Sequence, residues 1–368
     1  MRVAIFMLGV LLLPLALPGA VAWRADGWLS QEIVGGERLA LGDEFGCHGM
    51  PNKGLADDIG VVNECKDYLT SQINASKWGS EPLSFGVYEG IGNLEYNVLN
   101  DAGFRVVGDD VITNQNSNIW SIGRSGGSLE KNVASSSDIT EAIATNGYAS
   151  LYWEAEIEDL NVRRDKDVLA WIESQDYWFT TWGEWYSSSH EAIEVERTEQ
   201  SITVKGSPTS EGGWDVPGNT LLTISGGQFL SVERIDDDTI DELTIDDNHL
   251  KIGYRILNGT GVALTIPQDA LVRITWEGTD AEILLEEGAF NNFTPFMAVG
   301  HHTTDLFEWS SPFQNSPLRF TWLIEPQADI EPSWILPMLA ILIVLVAPIA
   351  VKITLRHDEA MYYSAEEE

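Results

Sequence analysis

Hydrophobic positions follow three different rules along this chain. Residues Met1 to Ala22 form an apolar run after one early basic residue, Arg2, and end in the small residues Ala20, Val21 and Ala22. That is the pattern of a secretory signal. From 23 to 189, helix-like spacing alternates with short strand-like runs. Ile59, Val62, Cys65, Leu69 and Ile73 share one helical face, Leu83 to Tyr88 reads as a strand, Asn93 to Asn100 as a helix, and Phe104 to Val107 as the next strand. Asp138 with Glu141 marks another helix start, Ala149 to Ile157 is strand-like, Asp165 to Ser174 helical, and Tyr177 to Thr181 strand-like. This alternation predicts an α/β layer or barrel.

After Ser189 the period changes to two. Ile202 to Val204, Leu221 to Ile224, Phe229 to Val232, His249 to Ile256, Val262 to Ile266 and Leu271 to Trp276 are separated by turns rich in Gly, Asp and Asn. The expectation is an all-β sandwich-like domain over 190–326. A spacer at 327–333 then leads into Trp334 to Val351, which carries no charge and is followed by Lys352 and Arg356. It is expected to be a single membrane-spanning helix, with 352–368 as a cytoplasmic tail and the N-terminal portion outside the cell membrane.

Charge narrows the partners. With 57 acidic against 21 basic residues and a net charge of −36, the surface repels nucleic acid, which is held mainly through Lys and Arg. Only Cys47 and Cys65 are present; on the exported side they are expected to pair. Sequons at Asn74, Asn258 and Asn292 fit an exported chain.

Four segments stand in a suggestive order: Phe45-Gly46-Cys47-His48-Gly49; a helix with Glu64, Cys65 and Tyr68; Ser84-Phe85-Gly86-Val87-Tyr88 through Asn93; and Tyr177-Trp178-Phe179-Thr180-Thr181-Trp182-Gly183-Glu184. Together they resemble the polysaccharide deacetylase family, the NodB-homology or carbohydrate esterase family 4 domain, over about residues 21–187. The resemblance implies a distorted parallel (β/α) barrel at 23–189 in which one Asp and two His hold a divalent metal, Zn being the natural candidate, while a separate Asp and His move protons.

Transferred residue by residue, the pattern is incomplete. Asp26 matches the metal-binding Asp, but Ala25 stands where the catalytic base belongs. His48 matches one histidine of the H-x-x-x-H pair, whose other member falls on Asn52, or on Gly42 in the alternative register. The family's arginine falls on Gly86 and its late histidine on Trp153. The resemblance thus implies a shortened, degenerate domain with Asp26 and His48 as residual metal ligands and no catalytic set, which binds surface glycan rather than cleaving it.

Other candidates are His301, His302 and Asp305; adjacent histidines in a strand point to opposite faces, so these read as solvated polar residues. Gly90-Ile91-Gly92 lacks the third glycine of a dinucleotide fingerprint. Among the 14 tryptophans, Trp178, Trp182 and Trp185 lie close together with Glu184, a composition suited to stacking sugar rings in a substrate-binding groove, the alternative being that most of these aromatics fill the barrel core and the domain interface. The alternatives are a structural envelope or adhesion protein without ligand, and a metal-dependent carbohydrate N-deacetylase whose missing ligands come from residues such as Asp109, Asp110 or Asp159.

Overall fold

The structure is a computed structural model that describes residues 29, 33–87, 90–109, 118–154, 164–189, 192–207, 213–236, 239–278, 281–326, 338, 341–349 and 351–352. The chain divides into a unit spanning Met1–Gln327 and a second spanning Ala328–Glu368.

The first unit opens with α1 (Val34–Leu41), β1 (Glu44–Cys47), α2 (Val61–Gln72), β2 (Ser84–Val87), α3 (Asn93–Asp101), β3 (Val106–Asp109) and β4 (Trp120–Gly123). It continues through α4 (Ser136–Asn146), β5 (Ala149–Trp153), α5 (Lys166–Glu173), β6 (Tyr177–Thr180) and α6 (Trp182–Ser188). The helix ends carry the expected signals. Ser135 caps α4 by accepting from the Asp138 amide, and Gly147 ends it at φ 79°. Asp165 caps α5 through the amides of Asp167 and Val168.

Eight antiparallel strands come next, β7 (Ile193–Arg197), β8 (Ser201–Lys205), β9 (Gly218–Ser225), β10 (Gln228–Arg234), β11 (Gly253–Leu257), β12 (Gly261–Ile266), β13 (Leu271–Glu277) and β14 (Glu282–Glu287). They form two four-stranded sheets, β10-β13-β8-β7 and β11-β12-β9-β14. Alternation places Val272, Ile274 and Trp276 of one sheet inward against Leu222, Val262 and Leu264 of the other in a common core.

The chain then returns. Strand β15 (Thr294–Thr303), helix α7 (Leu306–Ser310) and strand β16 (Phe320–Ile324) belong not to the antiparallel sheets but to the first region. The parallel sheet runs β4-β3-β2-β1-β16-β15-β5, with β6 also paired to β15. The segment after β4 folds back onto β5 through Ser125 to Ser150 (2.9 Å) and Leu129 to Tyr152 (2.9 Å), so the parallel barrel is nearly closed. The antiparallel sheets are therefore an insertion between α6 and β15, and the boundary at 326 expected from the sequence moves back to about 288. The physical reason lies in β15 and β16: Phe320–Ile324 is buried at every position, as a strand covered on both faces must be, and does not alternate.

Inside the barrel, Val106, Ile122, Trp182, Met297, Val299 and Leu323 form one cluster. Between barrel and helices lies the larger core, with Phe45, Leu69, Phe85, Leu99, Phe104 and Trp322 fully buried.

The expected membrane-spanning helix at 334–351 is corrected: among the described residues no helix is long and apolar enough to cross a membrane. The signal at 1–22 lies outside the described residues.

Candidate metal centre at the barrel mouth

In a parallel barrel every strand ends on the same rim, and side chains just past those ends converge. Here His48 follows β1, Arg124 follows β4, Glu154 follows β5, His301 and His302 end β15, and Glu325 follows β16. Four of these strands are neighbours, in the order β1-β16-β15-β5. Pairing of Cys47 with Ile324 sets His48 beside Glu325, and pairing of Gly300 with Trp153 sets His301 beside Glu154.

His48, His302 and Glu325 each present a ligand atom, all within 4.8 Å of one another. The His302 Nδ1 to Glu325 Oε2 distance is 2.7 Å, His48 Nδ1 to the same oxygen is 3.8 Å, and His48 Nδ1 to His302 Nδ1 is 3.5 Å. Donors around a tetrahedral ion with bonds of about 2.0 Å lie about 3.3 Å apart, so these separations bracket what a zinc-like ion requires. Two His and one Glu also leave a fourth position open.

The protonation states suit a cation. Burial lowers the His48 pKa, with the neighbouring His302 and Arg124 adding to the effect against the pull of Glu325. His301 falls to about 3, again through burial first and the two other histidines next. For Glu325, burial works upward but is overruled by hydrogen bonds from His302 and His48, leaving it at about 2. A neutral imidazole and an ionised carboxylate are the forms that bind metal.

Local structure explains how adjacent histidines reach one site. The β15–β16 register shifts between Gly300 and Thr303, and His302 has φ 48°. This bulge breaks the alternation, so the His301 and His302 rings lie 4.9 Å and 5.1 Å from that of His48. The reading of His301 and His302 as solvated residues on opposite faces is thereby corrected. His48 is fixed from behind: its amide donates to Ile324 O at 3.0 Å, and Cys47 beside it is disulfide-bonded to Cys65 on α2 across a Cα–Cα distance of 6.0 Å. Gly86 leaves room for the ring, since a Cβ there would stand 2.7 Å from His48 Cδ2. The position that aligned with the family's arginine thus has no space for any side chain.

Beside the triad lies a second group. Arg124 donates to Glu154 Oε1 at 2.6 Å and lies 4.2 Å from the centre of the Tyr152 ring, while His301 Nε2 is 3.8 Å from the same Glu154 oxygen. Glu130, on the segment that closes the barrel, accepts from the Glu154 amide at 2.6 Å. Burial raises its pKa to about 7, and the charge of Glu154 adds to this.

The remaining expectations fare differently. Asp26 lies outside the described residues, as do Asp110 and Asp159; Asp109 ends β3, at the rim. Asp305 caps α7 through the Glu308 amide. Trp178, Trp182 and Glu184 do not line a groove. They are buried at the opposite, N-terminal end of the barrel, where α6 acts as a plug. Trp182 fills the interior with its indole donating to Ser150, and Glu184 accepts from Trp78 and Thr180. Trp178 packs with Trp214, Phe290 and Phe293 where the inserted sheets meet the barrel. Trp185 is half-buried against Trp120 and Tyr148. Aromatic residues at a barrel end and a domain junction are there for area, which composition alone does not separate from sugar stacking. The asparagines at 74, 258 and 292 are all exposed.

No protein-family model matches this chain, and no curated protein matches its sequence. A nearly closed parallel barrel is common to many activities, so the fold does not by itself select the deacetylases.

Proposed function

We propose that this protein is a divalent-metal-dependent hydrolase, with His48, His302 and Glu325 as the metal ligands at the C-terminal mouth of the barrel. The observation that carries this reading is the donor geometry: two imidazoles and one carboxylate from three neighbouring strands, at separations a single tetrahedral ion satisfies. Zinc bound there would supply a Lewis acid for a carbonyl oxygen and lower the pKa of water. The chain's own groups would orient the substrate and handle protons, with Arg124 and Glu154 forming a charged wall beside the open position.

The resemblance to polysaccharide deacetylases suggests acyl groups on an extracellular polysaccharide as substrate. The Cys47–Cys65 disulfide supports an exported location. The metal centre differs from the one the resemblance implied: His48 is common to both, and His302 and Glu325 come from strands far along the chain.

The test is metal analysis of the full-length protein after loading with zinc and desalting. About one zinc per chain is expected, with retention lost in His302→Ala and Glu325→Gln. No retained zinc, or retention unchanged in both variants, would overturn the reading.

A further inference from the structure

Glu130 sits where a structural carboxylate has little reason to be. The segment carrying it closes the barrel against β5, with the Ser128 hydroxyl accepting from the Glu130 amide at 3.3 Å and backbone bridges to Tyr152 and Arg164. One carboxyl oxygen accepts from the Glu154 amide, and the other, Oε2, is buried with no hydrogen-bond partner among the described residues. An ionised carboxylate left half-unsatisfied in a buried place is costly, whereas the neutral acid carries an O–H to give.

The groups facing Glu130 are Glu154 and Tyr152 from β5, Arg124 from β4 and the Arg164 strand bridge. Arg124 is committed to Glu154 at 2.6 Å, so the two carboxyls on this side of the mouth are in contrasting settings, one ion-paired and one not. Paired carboxyls whose surroundings push them apart in this way divide into a fixed charge and a proton carrier. His301, 3.8 Å from Glu154, links this pair to His48 and His302.

We propose that Glu130 is the general acid of the barrel-mouth site, protonating the leaving group as the acyl bond breaks. This rests on the hydrolase reading above. In the step, water adds to the acyl carbon and the bond from that carbon to the leaving nitrogen or oxygen breaks. The leaving atom takes the Glu130 proton, and the proton released by the attacking water restores the acid. Products are the carboxylic acid and the free amine or alcohol, with no oxidant or further reactant.

The experiment compares two esters with the same acyl group on the zinc-loaded full-length protein. Ethyl acetate has a leaving group that needs a proton; 4-nitrophenyl acetate has one that leaves without it. For Glu130→Gln, kcat should fall by about 100-fold or more on ethyl acetate and by less than about tenfold on 4-nitrophenyl acetate, with zinc content unchanged. The ratio between substrates is independent of how much variant folds. Equal losses on both esters, or no loss, would overturn the assignment while leaving the hydrolase reading intact. A zinc-loaded wild type that turns over neither ester would overturn the hydrolase reading and this assignment with it.

Discussion

The two ends of the barrel hold acids in opposite conditions, fully buried at one and half-buried at the other. At the N-terminal end, Glu44 is fully buried beneath α6; burial raises its pKa, but Ser84, the Gly183 amide, Thr181 and Thr321 all oppose that rise with hydrogen bonds. Glu184 is likewise raised by burial and opposed by Lys77, Trp78, Thr180 and Arg319. Both acids have their donors, and Trp182 packs in the interior beside them. At the C-terminal end, His48 and His301 with lowered pKa values stand near an ionised Glu325, and Glu130 keeps an oxygen without a hydrogen-bond partner among the described residues. A fully buried acid is therefore not by itself a site. What the C-terminal end adds, among the described residues, is a half-buried acid with one unmatched oxygen near ligand atoms at metal-binding separations.

The sharpest way to break this contrast is to remove a partner at the closed end. Asp43 precedes β1 and accepts from Arg38 at 2.5 Å, from the Trp322 indole at 2.7 Å and from the Phe320 amide at 3.1 Å, all buried. Asp43→Ala leaves the Arg38 charge uncompensated, and the expected loss is about 3–5 kcal/mol by denaturant unfolding. Glu325→Gln at the open end should cost far less stability while abolishing zinc retention. If both variants lost stability equally, the two ends would be equally structural.

The second effect concerns the staple behind His48. The disulfide closes a loop of sequence separation 18, worth about 3 kcal/mol in the chain-entropy treatment. Cys47→Ser with Cys65→Ser should lower stability by about that amount and weaken zinc binding as well, since His48 adjoins Cys47. A stability loss with zinc affinity unchanged would show that the Ile324 carbonyl alone holds the His48 backbone.

How much of this was legible in the sequence follows the same division. The strand-helix alternation before residue 190 and the period-two pattern after it both correspond to elements, because each reports which faces are covered locally. The return of β15 and β16 to the barrel was less visible, although Phe320 to Ile324 has the unbroken apolar character of a doubly covered strand. His48 and the Cys47–Cys65 pair could be picked out by residue type and position. His302 could not, because the alternation rule that excludes two adjacent histidines fails at a bulge, and a bulge is a property of strand pairing. Glu325 carries no local signal at all; only its place one residue past a parallel strand makes it a ligand. Trp178 and Trp182 show the converse ambiguity: of the two readings their composition allowed, sugar stacking or packing, the structure has them buried in packing.

The smallest effect probes Glu130 without substrate or metal. Its native pKa of about 7 lies above the unfolded value of 4.5. A carboxyl raised on folding contributes stability that is fully present below pH 4.5 and is lost as pH rises through 7. Glu130→Gln cannot ionise, so its stability relative to the wild type should improve between pH 4.5 and 7.5. Allowing for partial exposure of the site, the change is about 1–2 kcal/mol, a shift of a few degrees in Tm. Measured on metal-free protein, the contributions of His48, His301 and Glu325 are shared by both proteins and cancel in the difference. A flat difference across that range would mean that Glu130 is as settled as the acids at the closed end, and that the open end differs from it only in its histidines and Glu325.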